Sequence, residues 1–315
     1  MKQFVRDLKV GDTVESEFLV TEKVLVNFSQ PNRSGEQFLR LQLADVSGTI
    51  KAVVWENGAA MAGKFRAGDV VRVRGDVGEY KGLQLVVYAL ETLDRGEVDR
   101  RLFQRAALRS RDEMLAELAD VRAAVLDPYL AALLGEFFGD EKFLTRYALA
   151  PAAKNIHHNY SGGLLEHSLE VAVLCRRLTS LYPQLEASLL YCGALLHDVG
   201  KIMEYDADSL NFELTTPGKL LGHIAIGKEM VDERAKKVPG FPENLRLELA
   251  HLLLSHHGQK EWGSPEVPKT FEAFALFHAD LVSARLNQFS LVMSKGGEGG
   301  WTEWDRHLER SIFLG

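Results

Sequence analysis

The chain is poor in cysteine, with only Cys175 and Cys192 among 315 residues. Each falls in an apolar helical pattern and neither belongs to a CxxC. A disulfide framework or a thiolate zinc site is therefore excluded as the organising device, and both read as reduced, buried thiols. Also missing is any apolar run approaching the roughly 18 residues that span a bilayer. The opening residues, Met1-Lys2-Gln3-Phe4-Val5-Arg6-Asp7, lack the apolar stretch of a secretory leader, so the expectation is a cytoplasmic protein with no membrane partner. A basic excess is absent as well: 37 Lys and Arg stand against 44 Asp and Glu, a net charge of −7. No global positive field draws a polyanion to this chain. Residues 1–93 hold 12 basic and 12 acidic side chains, so the remainder carries the whole deficit. Any nucleic acid must then be held by a local groove or with the help of bound cations.

What is present divides the chain in two, as its length suits. Residues 1–93 are rich in strand signals. Glu36 to Leu43 alternates, with Leu39, Leu41 and Leu43 on one face. Asp45-Val46-Ser47-Gly48 is a turn, and Thr49 to Trp55 follows as the partner strand. Glu56 to Phe65 reads as a short helix or loop. Asp69 to Asp76 and Leu83 to Tyr88 form a second pair across Lys81-Gly82, and a long strand runs from about Thr13 to Phe28. Five strands with an interruption between the third and fourth follow the order of an OB-fold barrel. The string Leu43-Ala44-Asp45-Val46-Ser47-Gly48-Thr49-Ile50, continued to Trp55, resembles the second and third strands of nucleic-acid-binding OB domains.

From about residue 94 the texture turns helical. Leu102, Ala106, Leu115, Leu118, Val121 and Val125 recur at helical spacing, so 94–150 reads as a helical connector and 151–315 as an all-α domain. Its tail, Gly296-Gly297-Glu298-Gly299-Gly300, reads as a loop before a short amphipathic helix from about Trp301 to Phe313. That helix is free to pack on its own domain or on a second copy, which leaves a homo-oligomer open.

All ten histidines lie from residue 157 onward. His197-Asp198 closes an apolar helix in Leu195-Leu196-His197-Asp198-Val199-Gly200. This reads either as a capping aspartate beside a satisfied histidine or as a metal site. Asp280 sits inside the apolar run Phe274 to Val282, where a carboxylate is costly unless paired or metal-bound. His167 and His223 stand in other helical segments, and two glycines beside His223, Gly222 and Gly227, would let helices approach closely. His256-His257 closes a further helix just before Gly258. Imidazoles and carboxylates on separate apolar helices suit Mn, Fe, Co, Ni or Zn, and a bundle core is a usual place to assemble them.

The order His167 … His197-Asp198 … Asp280, with His197-Asp198-Val199-Gly200-Lys201, resembles the HD-domain phosphohydrolases. With an OB-like domain in front, and with His157-His158-Asn159-Tyr160-Ser161-Gly162-Gly163-Leu164-Leu165-Glu166-His167-Ser168 as the lead-in, the chain resembles the YhaM family of 3′→5′ exoribonucleases. The resemblance implies two divalent ions, Mn foremost. One would be held by His167, His197, Asp198 and Asp280, the other by His223, His256 and His257 with Asp198 shared. It implies catalytic roles for Asp198, Lys201 and His223, with Lys201 on the phosphate. Taken without the motif, Lys201 reads as a lysine at a helix end facing solvent. His157-His158 reads equally as a phosphate contact or as a surface loop. The implied substrate is single-stranded RNA, or DNA, released as nucleoside 5′-monophosphates.

Candidate strand contacts on the barrel are Phe38, Arg40, Lys51 and Trp55, with Arg72, Arg74 and Phe28 behind them, and Arg40 alternates outward. An aromatic in a small barrel also reads as core. Two other readings stay in play. One is a nucleotidase or cyclic-nucleotide phosphodiesterase with a regulatory OB domain. The other is a single-strand-binding scaffold with a retired site.

Overall fold

The computed structural model describes residues 2–315 except 29–32, 34, 105–106, 108, 154–157 and 207–208, and the side chain of Arg95. Two compact units emerge: residues 1–105 together with 208–213, and residues 106–207 together with 214–315.

The first unit is a closed barrel of β1 (Thr13–Asn27), β2 (Gln37–Asp45), β3 (Gly48–Val54), β4 (Val70–Glu79) and β5 (Leu83–Thr92), ordered β1-β2-β3-β5-β4. β3 and β5 pair in parallel, and β1 closes the ring by pairing with both β2 and β4. One strand can serve two neighbours because it is long and bends: a register shift between Val20 and Glu22 marks the corner. The expected alternation holds in β2, where Leu39, Leu41 and Leu43 are buried and pack with Val14, Phe18, Val73 and Leu85. Each such side chain contributes about 1.5–3 kcal/mol by leaving water. Asp45 fixes the hairpin turn, since its Oδ1 accepts from Ser47 N at 2.8 Å. A short helix, α1 (Gly58–Ala62), fills the interruption between β3 and β4. Leu210, from the distant segment 208–213, joins Leu19, Val70 and Phe103 in a small second core of this unit.

The second unit is helical: α2 (Arg111–Ala123), α3 (Pro128–Phe138), α4 (Glu141–Leu149), α5 (Gly163–Leu181), α6 (Ala187–Leu196), α7 (Lys201–Glu204), α8 (Thr216–Ala235), α9 (Glu243–Ser255) and α10 (Phe271–Met293). One core joins Met114, Leu118 and Val121 of α2 to Leu165 and Leu169 of α5, Leu195 of α6, Leu252 of α9 and Leu276 of α10. Residues 111–149, read from sequence as connector, thus pack in the same core as the later helices. Ala106 of that reading lies outside the described residues. Ser110 caps α2 in a reciprocal box with Glu113. Among the described residues no helix is long and apolar enough to cross a membrane.

The expected helix over 301–313 is a correction. The segment forms a hairpin, β6 (Gly297–Glu298) against β7 (Trp301–Thr302), followed by turns, with Trp301 bridged to Phe313 and Asp305 to Arg310. Gly299 and Gly300 take positive φ and fold the chain back. The Asp305 carboxylate accepts from the N–H groups of His307 and Leu308, which holds the next turn. The apolar spacing that imitated a helix is Leu308 and Ile312 packing on Val292.

Candidate metal centre and nucleic-acid groove

Six elements of the helical unit deliver side chains to one place. His167 lies in the first turns of α5, His197 caps the C-terminus of α6, and Asp198 occupies the turn before α7. The motif glycine that follows explains itself sterically. A Cβ on Gly200 would collide with the carbonyl oxygen of His223 and stand 2.6 Å from Gly227 N. Backbone therefore lies on backbone here, and the Asp198 turn is locked against α8. Gly222 acts differently from the expected close approach: among the described residues nothing lies within 4 Å of a Cβ there, but its φ of 71° and ψ of 161° break α8 into two runs and turn His223 inward. α9 ends at Ser255, and His256-His257 continue past it as a turn with rings 4.4 Å apart. Both imidazoles can therefore face one point. Asp280 projects from the middle of α10.

The candidate ligands sort into two sets. His167, His197 and Asp280 present ligand atoms within 4.8 Å of one another, and so do His223, His256 and His257. Asp198 lies between them. Its Oδ2 is 3.4 Å from His197 Nε2 and 3.6 Å from His167 Nε2. Its Oδ1 is 3.4 Å from His223 Nε2 and 3.6 Å from His256 Nε2. Lys201 is buried, not solvent-facing, and its Nζ donates to Asp198 Oδ2 at 2.5 Å.

All five imidazoles are oriented the same way. Nδ1 of His197 faces Ala194 O at 2.9 Å, that of His256 faces Leu253 O at 2.7 Å, and that of His257 faces Trp262 O at 3.2 Å. Nδ1 of His223 faces Glu204 Oε1 at 3.2 Å, and that oxygen also accepts from the His223 backbone N–H at 3.0 Å. Nδ1 of His167 faces Ser283 Oγ at 2.9 Å, and Ser283 in turn donates to Glu170 at 2.6 Å. Each acceptor fixes the Nδ1–H tautomer and leaves an Nε2 lone pair pointing at the shared space. Asp198 Oδ1, His223 Nε2 and His256 Nε2 are buried without a hydrogen-bond partner among the described residues. His167 and His197 bring Nε2 atoms to 3.2 Å, two lone pairs that repel unless a positive charge lies between them. Orphaned acceptors of this kind are costly in a protein interior, and a divalent cation satisfies them together. Donor type, number and spacing thus fit imidazole–carboxylate binding of a divalent metal in both sets.

The charges agree with that arrangement. Burial works against the Asp198 carboxylate, but Lys201 and then His197 hold it well below the ordinary range. Asp280 is likewise depressed against its burial, chiefly by His167. Burial pushes His167 and His256 down, while burial with His256 and His223 beside it takes His257 to about 3. His197 goes the other way, because Asp198 outweighs its burial.

His223, His256, His257, Asp198 and Asp280 open on a cleft of about 470 Å³, lined also by Trp262, Phe277, Leu281 and Arg285, while His167 and His197 are buried behind it. His158 does not reach it. It is fully buried, 3.3 Å from Glu170, and so presents no surface to a phosphate. His157 lies outside the described residues. Glu166 turns away and accepts from Tyr160 Oη at 2.6 Å. His251 accepts from Lys269 N, and His278 packs on Phe274 and Phe277.

On the barrel, Arg40 and Lys51 line a groove of about 430 Å³ with Gln42, Tyr80, Lys81 and Gln84. The β2–β3 register, in which Gln42 faces Lys51, brings them to one outward face. Trp55 belongs to a neighbouring aromatic cluster with Phe38, at 4.8 Å between ring centroids, and Phe28, with Arg33 over the Phe28 ring at 3.6 Å. Arg72 and Arg74 are engaged by Glu17 and Glu15 across β4 and β1. Tyr80 and Lys81 were not expected as groove residues, because in the sequence Lys81-Gly82 reads only as a turn. Glu204, Glu170 and Ser283 were missed too, although Ser283 lies three residues from Asp280 on one helical face, a signal that was there to use.

Comparison with known proteins agrees with this division. Residues 164–285 match the HD domain family, and residues 20–93 match the OB-fold nucleic acid binding domain family. The second OB-fold domain of replication protein A from Methanococcus maripaludis is 23% identical over 30% of this chain and 96% of that chain, with a TM-score of 0.26. The replication factor A related protein from Methanobacterium thermoautotrophicum is 20% identical over 30% and 92%, with a TM-score of 0.27. The HD domain of the L. monocytogenes phosphodiesterase PgpH is 18% identical over 47% and 74%, with a TM-score of 0.31. A closed OB-fold barrel fused to a helical HD domain is what this chain is.

Proposed function

We propose that the protein is a metal-dependent phosphodiesterase that removes nucleoside 5′-monophosphates from the 3′ end of single-stranded RNA. The observation that carries this reading is the pair of donor sets joined by Asp198, with His223, His256, His257, Asp198 and Asp280 lining one cleft and His167 and His197 buried behind it. An HD domain beside an OB nucleic-acid-binding domain supports a nucleic-acid-related hydrolase. The local groove of Arg40, Lys51 and Lys81, which Glu22 also lines, supports a strand as the polymer held, with the modest affinity that a barrel segment of no net charge allows.

Divalent ions, Mn foremost, supply Lewis acidity toward a phosphate and acidify water when bound. The chain's own residues do the rest. His167, His197 and Asp280 would hold one ion, and His223, His256 and His257 the other. Asp198 offers one oxygen to each set. Lys201 offsets the Asp198 charge inside the cleft and stands where a phosphate oxygen would gain a positive neighbour. Arg285, an exposed cation on the cleft wall, suits the next phosphate. Trp262, Phe277 and Leu281 give the cleft an apolar wall.

The test strips the full-length protein with chelator, restores Mn and supplies single-stranded RNA labelled at the 5′ end. A ladder shortening from the 3′ end with 5′-monophosphates released is expected. Turnover of mononucleotides or cyclic nucleotides without cutting of the strand would replace this reading with that of a small-nucleotide phosphohydrolase.

A further inference from the structure

One wall of the cleft is left over once the candidate ligands are placed, and it is aromatic. Trp262 and Phe277 both line it, with ring centroids 6.2 Å apart. Phe277 is buried, whereas Trp262, which also lines the cleft, is 46% exposed. A large flat apolar surface left half in water beside a polar centre is a stacking surface without its partner.

The position of Trp262 is also fixed. It ends the 3₁₀ turn Lys260–Trp262, its N–H donates to Gln259 O at 3.1 Å, and its carbonyl oxygen faces His257 Nδ1 at 3.2 Å. The backbone that orients a candidate ligand is therefore the backbone that carries the indole. The ring is held in register with the place where chemistry would occur. The cleft volume of about 470 Å³ lies in the range of small-ligand sites and is too small for a duplex.

We propose that Trp262 is the platform on which the base of the terminal nucleotide stacks, so that the cleft seats one nucleotide. This rests on the phosphodiesterase reading above for the reaction, but not for the binding. Every nucleobase has a π-face, so the platform accepts all four, and removal proceeds with little regard to sequence.

The test compares two chromogenic diesters with Mn restored. Thymidine 5′-(p-nitrophenyl phosphate) carries a base, and methyl p-nitrophenyl phosphate does not. The ratio of kcat/KM for the first over the second falls about 5- to 150-fold in Trp262→Ala. Trp262→Phe and Trp262→Tyr restore most of it. A ratio in Trp262→Ala equal to that of the wild type overturns the platform, and so does equal loss on both esters, which would leave Trp262 acting only through His257. A second readout needs no turnover. Thymidine 5′-monophosphate quenches the indole fluorescence of the wild type and not that of Trp262→Phe, which retains Trp55, Trp301 and Trp304. Quenching that survives in Trp262→Phe places the base elsewhere. A wild type that hydrolyses neither ester, yet is quenched through Trp262, sinks the phosphodiesterase reading and leaves the base site standing.

Discussion

Replacing Glu204 by alanine removes a single oxygen that holds His223 twice, by its backbone N–H at 3.0 Å and its ring at 3.2 Å. A hydrogen bond to a charged acceptor is worth about 1.5–3 kcal/mol. The ring bond is the one that matters for the metal, because it keeps the proton on Nδ1 and Nε2 open. Without it, His223 rotates more freely and populates the wrong tautomer, which corresponds to roughly a 10- to 100-fold loss of affinity, the usual scale for such supporting partners. The loss falls on the set containing His223, His256 and His257, since Glu204 orients none of His167, His197 and Asp280. Calorimetric titration of the chelator-treated full-length protein with Mn reads the two binding steps separately. One step weakens 10- to 100-fold in Glu204→Ala, the other changes less than about threefold, and Glu204→Gln, which keeps an acceptor oxygen, lies between. Two unchanged steps would refute the reasoning. Equal loss of both, with a lowered Tm, would show that Glu204 merely supports the fold.

Three further outcomes are expected. Asp198→Ala abolishes hydrolysis and reduces the Mn stoichiometry while circular dichroism stays native; full activity in a folded variant would refute the shared-ligand assignment. Arg40→Ala or Lys51→Ala weakens binding of single-stranded RNA and makes the slope of log K against log salt shallower by about 0.7 for each phosphate no longer neutralised, read by fluorescence anisotropy across a salt series. The metal-free protein loses stability as pH falls from about 6.5 toward 4. His257, at about 3 when folded against 6.5 unfolded, is protonated only in the unfolded chain over that window, so stability rises with pH by up to about 1.4 kcal/mol per unit. The depressed His167 and His256 act with the same sign; the raised His197 adds stability that is full below about pH 6.5 and is lost only as pH rises above it, and Asp198 and Asp280 enter only below about pH 4. Thermal unfolding of His257→Gln in chelator should show a shallower slope, and an equal slope would count against this origin.

Much of the molecule was legible in its sequence where the signal is local. Leu39, Leu41 and Leu43 alternate because one face of β2 is core, and an aspartate within an apolar helix, as at Asp280, must have a partner. His256-His257 before Gly258 marked a helix end at which two imidazoles converge. Less could be read where meaning depends on what folds nearby. Glu204 looks like any acidic residue in a short helix until His223 is laid over it. His158 looks like a loop residue until Glu170 and its burial are known. At the tail, Leu308 and Ile312 keep helical spacing, yet the glycines and the Asp305 turn win. Arg72 and Arg74 are indistinguishable in sequence from Arg40; only register shows that Glu17 and Glu15 face them.

The small core around Leu19, Val70 and Phe103 is completed by Leu210. A chain emerging from a ribosome therefore cannot finish its first unit when its fifth strand appears at Thr92. It must wait until residues 208–213 have been synthesised, after α2 to α7 have already passed. Packing between residues so far apart along the chain closes late and slowly. The barrel can form its main ladder early, but it spends that interval with an apolar edge awaiting its last piece. Synthesis arrested before Leu210 should yield a first unit more open to protease than the finished protein, although every one of its five strands is already present.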